Sequence, residues 1–442
     1  MTARVVVYYQ AIVKQTNLKD EVTLAIDTLS YGPCGIGRLD GKAVMVPNTA
    51  PGDQVMARII ESQDRYSMAE LIRVLTPAQI RQPPPCPYVP ECGGCSWQHI
   101  SYAAQLKAKE QSVGDALRRI GKLADFELRP IIPSALDFHY RRRIRLQSDQ
   151  DRRLGFYRSS SHRLVEIERC LIADEKLNRV LDSLRHWLVD LKTPIEYIEI
   201  VTGDQVNQLV GVVGAVSQFE SSDDQRCESL LSEANQFSGL IFTGPAWRKV
   251  WGQPWITAKL FDDLSVTVDA DVFTQVNPLG NRQMLAQVLT AGDFNESDHV
   301  LELYCGAGNF TLPIAQKVKE IVAVEADRRA LANGKLNAQQ HRLENIVWVG
   351  DSVPRAVTEM KRRRRQFSKL ILDPPRAGAK GIETDLAALN AQKIIYVSCN
   401  PATLARDVAG IAKQGYHLQT VQPIDLFPHT FHVESVAWLT RP

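Results

Sequence analysis

The 442-residue sequence lacks an excess of either charge: 52 Lys and Arg stand against 50 Asp and Glu, a net charge of +2. That excludes a uniformly basic surface, so contact with nucleic acid has to come from local patches. No apolar run is long enough to cross a bilayer, and no membrane partner is expected. The opening Met1 to Gln10 carries Val5, Val6, Val7, Tyr8 and Tyr9 but not the longer apolar region and small-residue cleavage site of a secretory leader. A cytoplasmic protein is the expectation. Thiols stay reduced there, so the eight cysteines are expected to be metal ligands, nucleophiles or buried apolar groups, with no disulfides. An internal repeat is also missing. With 44% hydrophobic and 23% charged residues, the composition is that of a soluble globular chain of two to four domains.

Three blocks follow one another. The first, to about Thr76, has short alternating stretches such as Val22–Ile26 and Val55–Ile59. Turn signals separate them at Gly32-Pro33, Gly35-Ile-Gly37, Asp40-Gly41 and Pro51-Gly52, which predicts a small β-barrel. Pro77 to Pro90 is a proline-rich linker. A helix is predicted beyond it, with Leu106, Val113, Leu117 and Ile120 on one apolar face. Between Tyr140 and Cys170, Arg141, Arg142, Arg143, Arg145, Arg152, Arg153, Arg158, Arg163 and Arg169 interleave with Tyr140, Phe156 and Tyr157. That mixture suits phosphate contact with base stacking, and equally a solvated, salt-bridged face. From about Val300, apolar strands alternate with helices: 300–304, 321–325, 346–349, 369–372 and 393–398. This predicts an open α/β sheet with its ligand at the carboxyl ends of the strands.

The first of those strands runs into Tyr304-Cys-Gly306-Ala-Gly308-Asn309-Phe310. Two glycines let the backbone approach a ligand, but the third glycine of a dinucleotide fingerprint is absent. Glu325 ends the next strand, 17 residues after Gly308, where a carboxylate can accept from both ribose hydroxyls. Asp351 ends the third strand, within reach of an adenine amino group, and Asp373 ends the fourth. Each alone could be a helix cap. In order, they suit S-adenosylmethionine better than a dinucleotide.

Chemistry is expected at two strand ends, Asp373-Pro-Pro-Arg376-Ala-Gly378 and Ser398-Cys399-Asn400-Pro401. A cysteine in a polar turn after a buried strand is placed to react. Its thiolate, with the pKa lowered by a neighbour such as Arg406, could add to C6 of a uracil and make C5 nucleophilic. A carboxylate must then remove the C5 proton. Glu434, alone in a near-terminal apolar strand, is the candidate. A separate group, Cys86-x5-Cys92-Gly-Gly-Cys95 with the distant Cys170, offers four thiolates for an iron–sulfur cluster or zinc, which spacing does not separate.

The motifs at 373–378, 398–401 and 432–434 resemble those of the RNA (uracil-5-)-methyltransferase family, over essentially the full length, and most nearly its 23S rRNA members. The resemblance implies an α/β methyltransferase (Rossmann-like) catalytic domain, an N-terminal OB-type β-barrel (TRAM) that binds RNA, and an α+β central domain. The implied boundaries are 16–76 for the barrel, 77–97 with 126–272 for the central domain, and 98–125 with 273–442 for the catalytic domain. It implies Cys399 as nucleophile and Glu434 as base, with Gln275, Tyr304, Asn309, Glu325, Asp351 and Asp373 around S-adenosylmethionine. Asp351 stands where an amide is expected. A 4Fe–4S cluster on Cys86, Cys92, Cys95 and Cys170 is implied as well, with 23S rRNA as partner and a monomeric enzyme. Archaeal tRNA enzymes also combine barrel and cluster, so a tRNA T-loop is the runner-up target.

Other readings fit less well. A radical S-adenosylmethionine enzyme uses C-x3-C-x2-C, not x5. An adenine-N6 enzyme wants an aromatic where Arg376 stands, and a cytosine-C5 enzyme a proline where Ser398 stands. An RNA-binding assembly factor would not need complete motifs. Lys361 to Arg365 could touch phosphates or be an exposed loop.

Overall fold

The computed structural model describes residues 21–232 and 237–441. The reading of Met1 to Gln10 and the first residues of the barrel expected from 16 lie outside them. The chain forms two compact units, up to Gln82 and from Pro83 onward.

The first unit is a closed barrel of Glu21–Leu29, Cys34–Leu39, Lys42–Pro47, Tyr66–Thr76 and Gln54–Ser62, in that order around the wall. Alternation sends Leu24, Ile26, Val44, Val46, Val55 and Ala57 inward. Asp40-Gly41 makes the expected hairpin turn, both residues at positive φ. Gly35 and Gly37, expected in a turn, instead lie inside the second strand. A Cβ on Gly35 would collide with Thr49 and one on Gly37 with the Ala25 carbonyl, so these glycines permit close packing of the wall. Asp53, fully buried, accepts from the Ala50 and Ala78 amides and from Arg81. The start of the expected linker is thereby pinned to the barrel.

The second unit holds a seven-stranded and an eight-stranded sheet. The former runs Trp247–Gly252, Gly239–Gly244, Leu209–Ala215, Ile195–Thr202, Arg143–Ser148, Leu154–Tyr157, Leu164–Glu166. Much of the arginine cluster is spent within it. Arg143 and Arg145 both pair with Glu199 on the neighbouring strand, Arg145 also lies over the Tyr197 ring, and Arg142 pairs with Asp204. Arg153 pairs with Asp149 and Arg169 with Glu175. Arg158 and Arg163 are exposed.

The eight-stranded sheet has the order Ile346–Val349, Glu320–Val324, His299–Leu303, Lys369–Leu372, Lys393–Ser398, Glu434–Thr440, His417–Ile424, Glu127–Leu128. The five strands read from sequence form within one residue of their expected ends. They are parallel, and Glu434–Thr440 runs antiparallel to both its neighbours. Strand order reverses between His299–Leu303 and Lys369–Leu372, the switch point where such sheets bind ligands. Glu127–Leu128 pairs with His417–Ile424, so the stretch from 126 begins in this sheet and not in the seven-stranded one.

The predicted helix spans Tyr102–Arg119, but its buried face is Gln105, Lys109, Val113 and Leu117, whereas Ile120 is exposed. It packs against helix Pro401–Ala412. The polar residues on its buried face have partners, so an apolar count alone misplaces the stripe.

Candidate active site and cysteine cavity

At the switch point, the chain leaves His299–Leu303 through Tyr304, Gly306 and Gly308, all at positive φ. The left-handed backbone is costly for a tyrosine and marks a constrained turn. The Gly306 amide donates to Glu325 (3.0 Å) and the Asp327 amide to its other oxygen (2.7 Å), so the carboxylate ending the second strand is fixed beside the glycine turn. The Asn309 side chain is held by reciprocal amide bonds with Asn281, at 2.8 and 3.0 Å. Asp351 accepts from the Ser352 amide. Gln275 lies in the loop before helix Pro278–Gly292. Arg143 supports that loop, donating to the carbonyls of Ala270 and Val272, and the Arg142 amide donates to the Val276 carbonyl.

Glu302 was not among the expected site residues. It lies 1% exposed in the strand below the turn, accepts from Thr311, and leaves its second carboxylate oxygen without a partner. Burial pushes its pKa up to about 8, with Asp373 and Glu325 adding to the rise. The sequence signal that could have found it is a charge-bearing residue inside a strand buried on both faces.

The strand ends expected to carry the chemistry are neighbours. Lys393–Ser398 and Glu434–Thr440 pair with Ser398 opposite Ser435; Cys399 follows the one and Glu434 precedes the other, and the Glu434 charge acts on the Cys399 thiol. Lys369–Leu372 lies on the other side of the cysteine strand and ends in Asp373. Asn400 caps helix Pro401–Ala412 through the Ala402 amide, which fixes the turn holding Cys399.

Glu434 is 5% exposed. Burial, then the Asp373 charge, push its pKa well above the carboxylate range, and Arg376 opposes them. Burial likewise lifts Asp373 to about 7. The Cys399 thiol is raised to about 11 by burial and by Glu434, and Arg376 again opposes. The expectation of a lowered thiol with Arg406 as its cation is therefore corrected on both counts. Arg406 donates to Asp407 (2.7 Å) and to the Ala377 carbonyl (2.8 Å), and Asp407 also receives the Ala379 amide and the Tyr396 hydroxyl. These bonds build the Gly378 turn, where a Cβ would strike Asp407 and Arg406. The turn carries Arg376, whose guanidinium lies 3.3 Å from His432 Nε2 and whose field reaches both Cys399 and Glu434. Burial, then Arg376, hold His432 down at about 3, so it is neutral and can accept from the arginine.

Cys86, Cys92, Cys95 and Cys170 line one cavity of about 200 Å³, walled by apolar side chains such as Ile144 and Phe156 and flanked by Arg141 and Arg145. Among the described residues, no group of His, Cys, Asp or Glu is drawn together tightly enough to hold a metal ion. The donor set is nonetheless of thiolate-ligand type. The backbone at Gly94 bonds to Cys92, at Ile172 and Ala173 to Cys170, and Gln98 bonds to Cys95, as donors to anionic sulfur do.

A family model described as tRNA (uracil-5-)-methyltransferase matches residues 101–442, and a TRAM domain model matches 15–72. The chain belongs to the tRNA (uracil-5-)-methyltransferase family. It is an S-adenosylmethionine-dependent enzyme acting on C5 of uracil in RNA. A protein of Aliivibrio fischeri (strain ATCC 700601 / ES114) named 23S rRNA (uracil(1939)-C(5))-methyltransferase RlmD is 33% identical over 93% of this chain and 94% of its own. A protein of the same name from Histophilus somni is 33% identical over 97% and 98%. The crystal structure of Pyrococcus abyssi tRNA (uracil-54, C5)-methyltransferase with S-adenosyl-L-homocysteine superposes with a TM-score of 0.74 at 22% identity, covering 95% of this chain and 99% of that one. That likeness establishes a shared methyltransferase fold. Among the described residues, no helix is long and apolar enough to cross a membrane.

Proposed function

We propose that this methyltransferase modifies a specific uridine of 23S rRNA by covalent addition and elimination, with Cys399 as nucleophile and Glu434 as base. The observation that supports the chemistry is the pairing of the two strand ends, Ser398 opposite Ser435, which leaves a half-buried thiol within the field of a buried carboxyl at the ligand end of the sheet. S-adenosylmethionine, with Gln275, Tyr304, Asn309, Glu325, Asp351 and Asp373 around it, supplies an electrophilic methyl and a positive sulfonium.

The Cys399 thiolate forms a bond to C6 of the uracil, and the displaced electron pair moves onto O4 as an enolate. C5 of that enolate takes the methyl group. Glu434 then removes the proton left on C5, the C5–C6 double bond re-forms, and the C6–S bond breaks to return the thiolate. Burial suits Glu434 to this step, because a poorly solvated carboxylate is a stronger base than one in water. Arg376 favours the anionic forms of both residues and offers a donor for the enolate oxygen.

The cavity at Cys86, Cys92, Cys95 and Cys170 is proposed to hold a 4Fe–4S cluster. Methyl transfer is redox-neutral, which leaves the cluster a structural or RNA-facing part. The proposed organisation is an RNA-binding barrel at 16–76, a central domain of 77–97 and 126–272, and a catalytic domain of 98–125 and 273–442, in a monomer acting in the cytoplasm. The 23S target is supported by the names of the relatives at 33% identity. It is tested with labelled cofactor on a 23S rRNA fragment and on a tRNA transcript. The fragment should be methylated about tenfold faster or more at moderate salt, since base and shape contacts outlast phosphate contacts. Equal or better methylation of the tRNA T-loop would overturn the target and leave the uracil chemistry standing.

A further inference from the structure

The segment between strands His417–Ile424 and Glu434–Thr440 is only nine residues long, yet it is tethered almost residue by residue. Asp425 and Lys109 form an ion pair of 2.6 Å in which both side chains are 0% exposed, and Lys109 also donates to the Phe427 carbonyl at 2.9 Å. The Leu426 carbonyl accepts from Asn277, and the Pro428 carbonyl from the Tyr140 hydroxyl. His429 is gripped from three sides. Its amide donates to Gln105, its ring nitrogen meets the same side chain, its carbonyl accepts from the Trp97 amide, and Phe138 stacks on it at 4.2 Å. The chain then enters His432 and Glu434.

A connection between two antiparallel strands does not need a buried charge pair. Removing both ions from water is costly, and an apolar pair of similar volume would often be at least as stable. Such pairs fit a role in fixing one conformation among several. Lys109 sits on helix Tyr102–Arg119, which packs on the helix that starts beside Cys399. The pair therefore ties the segment leading to the base to the frame holding the nucleophile.

We propose that Lys109 is a positioning residue for Glu434, acting through Asp425. The proposal rests on the reading of Glu434 as the base. Its signature is a selective loss: methyl transfer, which needs Cys399, continues, while elimination, which needs Glu434 aimed at C5, slows.

The test uses full-length Lys109→Met/Asp425→Leu, which leaves no unpaired buried charge, and Gln105→Leu, which loosens His429 without touching the ion pair. Single-turnover methyl transfer and release of the covalent RNA adduct are followed separately, beside thermal melting. The double variant should melt cooperatively and transfer methyl within about threefold of the parent, with adduct release slowed about tenfold or more. Gln105→Leu should show the same split to a smaller degree. A folded double variant that releases RNA at the parental rate overturns the proposal. So does a parallel fall of both rates, which is the mark of a purely structural role. If the double variant does not fold, Gln105→Leu decides by the same criteria. Glu434→Gln serves as reference: if it fails to accumulate adduct, the base assignment falls and the Lys109 proposal with it, a failure told apart by which protein lacks the adduct.

Discussion

Cys399 and three thiols of the four-cysteine cavity share a setting that keeps protons on sulfur: burial raises Cys399 and Cys92 to about 11 and Cys95 to about 12, and lifts Cys170 as well. Their neighbours differ. Around Cys399 stand two carboxyls, Glu434 and Asp373, with Arg376 opposing them. Around the cavity stand other cysteines, apolar walls and Arg141 and Arg145, with no carboxylate lining it among the described residues. A thiol beside a carboxyl of high pKa has a partner for moving protons. Thiols that raise one another's pKa have none, and shed their protons together when a cation binds among them. The contrast fits the roles proposed for them, one reacting cysteine and four ligating ones inside one folded unit.

Substitutions should reproduce that contrast. Cys399→Ala should lower methyl transfer by on the order of 10⁴-fold or more, measured with labelled cofactor, while leaving bound iron unchanged. Cys86→Ser, Cys92→Ser, Cys95→Ser or Cys170→Ser should each lose iron, out of about four per chain in anaerobically purified protein. Cys34→Ser and Cys227→Ser should keep it, because each of these buried cysteines lies outside the cavity. Stoichiometric zinc without sulfide would reverse the cluster assignment.

A smaller effect tests which arginine acts on the Cys399 thiol. Arg376→Ala should slow alkylation of Cys399 by iodoacetamide at mildly alkaline pH about tenfold, one unit of thiol pKa. Arg406→Ala, measured in the same way, should change it less. In the parent the alkylation rate should keep rising with pH toward about 11. Adding S-adenosylmethionine should shift the curve to lower pH, because a nearby positive charge favours the thiolate.

The smallest effect concerns Glu302. Its folded pKa of about 8 exceeds the unfolded value of 4.5, so the folded state holds the proton more tightly. That contribution to stability is complete below the unfolded pKa and is lost as pH rises toward 8. Glu302→Gln should therefore melt a few degrees above the parent at pH 9, by about 1 kcal/mol or more, with the gap closing toward pH 5. A gap independent of pH would mean that Glu302 is ionised in the fold.

The sheet was legible because its parallel strands are continuous apolar runs ending in residues that contrast with them, Glu325, Asp373 and Cys399. The barrel was legible from alternation and the Asp40-Gly41 turn, whereas Gly35 and Gly37 looked like a turn because sequence does not show that two strands close over them. Arg376 and Arg406 both flank the motifs expected to carry the chemistry. Choosing between them required knowing that Asp407 claims Arg406 and that the strands ending in Asp373, Cys399 and Glu434 lie side by side. Lys109 was hidden for the same reason: a lysine four residues from Val113 looks solvated until a carboxylate 316 positions away is brought to meet it.

In the proposed mechanism Cys399 bonds to the uracil and Glu434 releases it. Glu434→Gln, incubated with uridine-containing RNA substrate and S-adenosylmethionine and then digested, should yield a peptide containing Cys399 joined through sulfur to a nucleotide that already carries the new methyl group. An unmodified Cys399 peptide alongside methylated, freely released RNA would mean that methylation proceeds without the covalent adduct.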